Sequence, residues 1–378
     1  MYKKSKDIVI YANDAFYSAF PAVANLGDGE LVATFRRAPN YNGMPGVPDS
    51  WYQHGDILSQ YVLVRSKDNG ETWGDAELIC SPSDGASQDG GLFYDGKYLY
   101  ANSFVWKYVP DIVAANLKET GGDEFLHKYL TYMLPGGSYV MRSADKGHSW
   151  EGPFSPSPLP GGKEILPGVP LTIHNRGNIV KAADGRLLLV GQALGFRPEF
   201  NSSVVVYESL DQGKTWEYFS TAADCGGVSV FEEPRLHVTP SGKYVMLIRC
   251  HRDGEDKFAR AMLFVAESKD KGKTWTKPRN TGIHAEPSTS FLLDDGRAIV
   301  AYGYRLEPFG VRLKVCSPEL DDLDTAEEII VRADAERIDT GYPWITQIGE
   351  NRFLIGYYIN KPSYRGAARI EGTITEIK

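Results

Sequence analysis

One octet recurs four times along the chain and restricts its fold more than any other feature. It reads SKDNGETW at Ser66–Trp73, SADKGHSW at Ser143–Trp150, SLDQGKTW at Ser209–Trp216 and SKDKGKTW at Ser268–Trp275. The shared pattern is S-x-D-x-G-x-[TS]-W, at intervals of 77, 66 and 59 residues. An aspartate at the third position can fold back to accept backbone N–H groups. The glycine supplies the positive φ that such a turn needs. The tryptophan then packs its ring under the turn. Apolar runs come just before, YVLV ahead of Ser66 and SVVVYE ahead of Ser209. Each octet therefore reads as the cap of a β-hairpin, a structural device and not a site of chemistry.

A second repeat is interleaved with the first. It is an apolar strand, a turn at Gly or a Gly-like residue, and another apolar strand. Its six copies begin at Phe20, Gln88, Asn175, Glu233, Glu286 and Tyr342. Six hairpins, each followed by further strands, leave open edges unless the array closes. Radial closure removes that liability. The expected fold is all-β, a six-bladed β-propeller, with residues 1–378 as one domain. The first strand, DIVIYA around Ile8, is expected to pair with RIEGTITEI around Ile370 and fasten the ring. Residues 111–133 show helix-like apolar spacing and no octet. They read as a helical insertion at the rim, a lid or an oligomer contact.

Composition narrows the function classes. Hydrophobic residues make up 42%, enough for a large core. The net charge of −8 leaves no basic excess to displace counterions, so a general nucleic-acid binder is excluded. A local cluster of arginines could still hold an anion. Cys80, Cys225, Cys250 and Cys316 lie far apart with no ligand spacing. Neither a zinc site nor a disulfide framework is implied, and no metal or cofactor is expected. The N-terminus has no apolar run of signal-peptide length, and no stretch approaches a membrane span. The expectation is a cytoplasmic protein, or a secreted or periplasmic one if a leader precedes this numbering.

Four such octets on a ring of hairpins resemble the Asp-box (BNR-repeat) sialidase superfamily over nearly the whole chain. Non-catalytic propellers carry the octet too, so function must be argued from the site. Sialidases hold the substrate carboxylate with three arginines, because guanidinium is always charged and binds carboxylates through two parallel bonds. The resemblance makes Arg36 the first, in Phe35-Arg36-Arg37-Ala38-Pro39 where the family has F-R-I-P. Arg249 is the second, sixteen residues after Glu233. Arg305 and Arg312 compete for the third place. Arg312 is preferred, at the start of a strand leading to a degenerate octet at Ser317. The resemblance also implies a tyrosine nucleophile, Tyr342, served by Glu233. Asp89 matches the proton-transfer aspartate, although the family more often has Asp-Pro and this chain has Asp-Gly. A carboxylate nucleophile would repel the sugar's own carboxylate, whereas a phenol starts neutral and a glutamate can take its proton.

Phe20, Glu233 and Tyr342 each stand directly before a proline. Such residues are expected to be extended, with their side chains fixed toward one end of the ring. His54 and Asp56 follow Arg36 and are candidate ligand contacts. His174, Asn175 and Arg176 open the third hairpin, where an anion or hydroxyl contact is plausible. Glu286 is expected to orient an arginine, and one of Glu232 and Glu233 could simply be solvated. The loop from Asn40 to Gln53 reads as a rim for stacking on sugars. Together these imply an exo-acting glycoside hydrolase that releases a terminal acidic sugar with retention. The alternatives are a sugar-binding propeller without turnover, or a sialidase-fold glycosidase acting on a different sugar. The expected partner is a glycan or small sugar.

Overall fold

The structure, a computed structural model, describes residues 2–47, 54–121, 125–128, 131–174, 176–197, 199–227, 229–252, 261–364 and 366–378. Its strands form six antiparallel blades arranged as a β-propeller. The first blade runs Phe16–Gly27, Glu30–Pro39, Gln60–Ser66 and Glu77–Cys80 from the inside out. In the second, the inner strand is split into Gly85–Ser87 and Gly91–Tyr94, both paired with Leu99–Val109. Tyr132–Ser143 and Glu151–Phe154 complete it. The third, fourth and fifth blades have inner strands Ile179–Lys181, Ser229–Val238 and Ser288–Leu292. The sixth is Gly341–Gly349, Arg352–Asn360 and Ala368–Ile377, and its outermost strand is Tyr2–Tyr11. The chain's first strand thus closes its last blade, with Ile8 opposite Gly372, as expected from the sequence.

Every blade contacts the next through at least one polar bond. Tyr61 donates to Gly91 O (3.2 Å), Asn102 to Gly177 O (3.2 Å) and Asn178 to Leu236 O (3.0 Å). His237 meets Ser290 (3.1 Å), Gln347 donates to Asp294 (2.9 Å) and Thr346 donates to Val23 O (2.6 Å). The second strands, such as Leu187–Leu194 and Arg352–Asn360, are buried along nearly their whole length. They are covered on both faces by neighbouring blades, which explains their continuous apolar runs. The later halves of the inner strands line a central channel of about 840 Å³.

Each octet joins the third and fourth strands of a blade. Asp68 shows the device: it accepts from Thr72 N (2.9 Å) and Thr72 Oγ1 (2.6 Å), while Ser66 Oγ accepts from Gly70 N (2.9 Å). The Thr72 hydroxyl and backbone bonds hold the Asp68 carboxyl at about 2. Trp73 Nε1 then donates to Gly70 O (3.1 Å). The insertion is helical only over Asp111–Thr120. Gly121 ends it with φ of 73° and a bond to Leu117 O. The chain then returns as His127–Lys128, paired with the start of Tyr132–Ser143, so the expected helical span to 133 is too long. Among the described residues, no helix is long and apolar enough to cross a membrane.

Gly147 has φ of 90°, and a Cβ there would sit 3.2 Å from Leu99 and 3.3 Å from Leu63. Gly147→Ala is expected to cost about 1–3 kcal/mol, the scale of a strained left-handed residue. A urea melt should show a lower midpoint with unchanged slope. An unchanged midpoint would contradict this account of the turn.

Candidate functional site

Three inner strands share one irregularity. Phe20, Glu233 and Tyr342 have positive φ, at 63°, 49° and 53°. Pairing slips at each, between Ala19 and Ala22, Glu232 and Arg235, and Gly341 and Trp344. The extended conformation expected before proline is therefore corrected to a β-bulge. A bulge re-aims a side chain, and the proline that follows has no N–H to leave unpaired. The strain costs roughly 1–3 kcal/mol at each such residue, and it is repeated at one level of the ring.

Tyr342 stands at the centre of the resulting cluster. Its hydroxyl donates to Glu233 Oε1. Its ring centroid lies 4.6 Å from that of Phe20 and 5.6 Å from that of Tyr358. The Arg176 guanidinium lies 5.2 Å from the same ring, held by a bond to Pro21 O (2.7 Å). Burial, and then the charge of Glu233, push the phenol well above its ordinary value.

From Glu233 a chain of charges crosses three blades. Glu233 Oε2 accepts from Arg249 Nη1 (2.7 Å), which also meets Glu232 (3.0 Å). Arg249 Nη2 donates to Glu286 Oε2 (2.8 Å). The same oxygen accepts from Arg305 Nη1 (3.0 Å). Arg305 also donates to Tyr358 Oη (3.1 Å) and Thr340 O (3.3 Å), and lies 3.5 Å from Asp339. Asp339 accepts from Tyr17 and Tyr358 and faces His54 Nε2 at 3.1 Å. Burial would raise the Asp339 carboxyl, but His54, Arg305 and Tyr17 hold it well below the usual range.

Asp89 occupies the break in the second blade's inner strand. Burial and the Glu233 charge push its carboxyl up to about 7, against the pull of Arg176 and Arg36. A Cβ on Gly90 would lie 2.0 Å from Asn102 O and 2.6 Å from Tyr61 Oη. This backbone has no room for the proline usual in the family.

Arg36 is fully buried, and its Nε donates to Ser59 Oγ (3.1 Å). Its two terminal nitrogens have no hydrogen-bond partner among the described residues. Burial lowers its pKa, and the charges of Asp56, Tyr17, Asp89 and Asp339 oppose that. Asp56 is equally buried; one oxygen accepts from Leu58 N (2.7 Å) and the other has no partner among the described residues.

The structure thus brings Arg36, His54, Asp56, Asp89, Arg176, Glu233, Arg249, Glu286, Arg305 and Tyr342 to one end of the ring. Arg312 is not among them. It lies within the third strand of the fifth blade, opposite Tyr302. Its guanidinium bonds Arg332 O (2.5 Å) and Pro308 O (2.9 Å) and stacks over Tyr304. Arg305, just past the preceding strand, takes the place expected for Arg312. Glu232 is not simply solvated, since it pairs with Arg249 and His251. Asn175 and residues 48–53 of the expected rim lie outside the described residues. Asp339, Tyr17 and Tyr358 went unrecognised in the sequence. The one available signal was an acid three residues before Tyr342. Among the described residues, no group of His, Cys, Asp and Glu could hold a metal ion.

Known proteins agree with this architecture. A family model described as a BNR repeat-like domain matches residues 129–355. The chain belongs to the BNR repeat-like family. A solved structure of a protein of unknown function from Dyadobacter fermentans is similar to this BNR repeat-like chain at 34% identity and a TM-score of 0.87. The match covers 100% of this chain and 99% of that one. A Hadza microbial sialidase aligns at 16% identity and TM-score 0.62, over 96% of this chain and 66% of that one. A mutant NanB sialidase from Streptococcus pneumoniae aligns at 14% and 0.58, over 99% and 70%. The chain spans about two thirds of these sialidases' length, and at such identities the likeness is one of fold. No curated protein matches it.

The two arginines predict unequal costs. Arg305→Met leaves Glu286 to Arg249 alone and Asp339 to His54 and two phenols, and should cost about 3–5 kcal/mol, the scale of a broken buried ion pair. Arg36→Met removes a buried cation with unmet donors but also a counter-charge of Asp56, and should cost less than Arg305→Met, about 1–3 kcal/mol. Thermal or urea melts rank the two, and a larger loss for Arg36→Met would contradict the charge map.

Proposed function

We propose that this BNR repeat-like protein is an exo-acting glycoside hydrolase that cleaves a terminal sugar with retention. The observation that carries the reading is the Tyr342–Glu233 hydrogen bond, buried beside an aspartate that titrates near neutrality. In the first step Tyr342 Oη attacks the anomeric carbon and passes its proton to Glu233. Asp89 gives its proton to the departing glycosidic oxygen. In the second step water attacks the glycosyl–tyrosine. Asp89 takes the water's proton, and Glu233 returns its own to the phenol. Two inversions leave the anomeric configuration unchanged, and the sum is one glycosidic bond exchanged for one water. Phe20, Tyr358 and Arg176 pin the phenol ring, which supports a positioned nucleophile. The sialidase fold supports the same reading by analogy.

Tyr342→Phe should lower kcat by at least about a hundredfold, the scale of a lost positioned group. Reducing-sugar release from a panel of aryl glycosides measures it, and undiminished turnover would reject the nucleophile. If the wild type turns over no glycoside, the binding-only propeller is left.

The pH profile follows from Asp89. It must be protonated to serve as acid, and its carboxyl titrates at about 7. The acid form prevails below that value and is lost above it. The kcat/KM of the wild type should therefore fall on the alkaline side with a midpoint near 7. Asp89→Asn should be slow and lack that limb. An alkaline limb that survives in Asp89→Asn would assign it elsewhere.

A further inference from the structure

Three clamping arginines suit an acidic sugar only if their guanidinium groups are available to it. Here two of the three are already engaged. Arg249 meets three carboxylates, Glu232, Glu233 and Glu286, at 3.0, 2.7 and 2.8 Å. Arg305 spends its nitrogens on Glu286, Tyr358, Asp339 and Thr340 O. One oxygen, Glu286 Oε2, bridges both arginines, as the carboxylate of a bound acid would. The charge inventory agrees. Arg36, Arg176, Arg235, Arg249 and Arg305 face Asp56, Asp89, Glu232, Glu233, Glu286 and Asp339. With Asp89 protonated, five anions balance five cations. An incoming carboxylate would meet no net positive field and would have to displace an internal one.

The unmet valences call for hydroxyl groups beside any charge. Glu286 Oε1 and Asp56 Oδ2 are buried acceptors with no hydrogen-bond partner among the described residues. Arg36 Nη1 and Nη2 are buried donors in the same condition. A carboxylate can satisfy only the donors and would repel both acceptors. A hydroxyl donates and accepts, so a polyol satisfies both kinds.

We infer that the terminal sugar is neutral, and that Glu286 is the residue that excludes an acidic one by supplying its carboxylate from within. The inference rests on the sugar-site reading above, and it deepens that reading. Glu286 is thus a specificity determinant, and its removal should convert the pair Arg249 and Arg305 into an open anion clamp.

Calorimetric titration with the unsaturated sialic acid analogue tests this without any turnover. The wild type should show no saturable binding up to about millimolar concentration. Glu286→Gln, which keeps the shape and removes the charge, should gain at least about tenfold in affinity, 1.4 kcal/mol. Tight binding by the wild type, equal or weaker binding by Glu286→Gln, or no binding by either protein would each overturn the inference. Should Glu286→Gln fail to fold, the wild type alone decides through its substrates. Aryl glycosides of neutral hexoses and pentoses should be cleaved at least about a hundredfold faster than the aryl sialoside, and the reverse order overturns it. If nothing is cleaved but Glu286→Gln gains the acid, the hydrolase reading falls and the inference stands.

Discussion

The rest of the molecule depends on ring closure. Six twisted sheets expose no long edge only if the last blade meets the first. That meeting uses Tyr2–Tyr11 as the outer strand beside Ala368–Ile377. Closure fixes more than the outline. Thr346 reaches Val23 O across the seam, and Tyr342 stacks against Phe20 across the same seam. The candidate nucleophile is therefore positioned by a contact between residues more than three hundred apart in sequence. No single blade contains the site. Glu233 comes from the fourth, Glu286 and Arg305 from the fifth, Tyr342 from the sixth, and Arg36 from the first.

The fold was legible because its signals are local. Each octet encodes its own turn within eight residues, and each inner hairpin carries its own alternation. Strand count, blade order and closure follow from these plus the cost of open edges. The order of Arg36, Asp89, Glu233, Arg249 and Tyr342 was legible for a related reason, since each sits at a fixed offset within a hairpin. Arg305 and Arg312 defeated the sequence because they lie seven residues apart across one hairpin turn, Arg305 just past one strand and Arg312 near the start of the next. What separates them is whether the carboxylate within reach is the buried Glu286 of the site or the exposed Glu328 at the blade's outer edge, and that is set by neighbouring strands. Arg312 finds Arg332 O and Pro308 O, and Arg305 finds Glu286.

The pre-proline bulges were hidden for a different reason. The local preference before proline is for extended backbone, and the sequence offers no counter-signal. The ring overrides it at Phe20, Glu233 and Tyr342. An ordinary strand would alternate these side chains between neighbouring blades. The extra residue of the bulge turns them toward the axis, where Phe20 and Tyr342 stack and Glu233 accepts the phenol's hydrogen bond. That the same strain appears on three blades argues for a shared role in the cluster, because each instance is unfavourable on its own.

The charge chain also shows how such a cluster folds before any ligand arrives. A buried guanidinium without a partner is costly, so three unfilled arginines would weigh heavily on a marginally stable fold. Glu286 relieves two of them with one oxygen. Among the described residues, Arg36 keeps both terminal nitrogens unmet and Arg249 only its Nε; Arg36 sits among Asp56, Asp89 and Asp339, whose field tempers the cost of its charge. Stability and selectivity then have a common origin. The carboxylate that makes Arg249 and Arg305 affordable in the empty protein is the same group that leaves no place for a second one. A site that bound an acid at those two arginines would need another way to neutralise them while vacant, and this chain offers them none beyond Glu232, Glu233, Glu286 and Asp339 among the described residues.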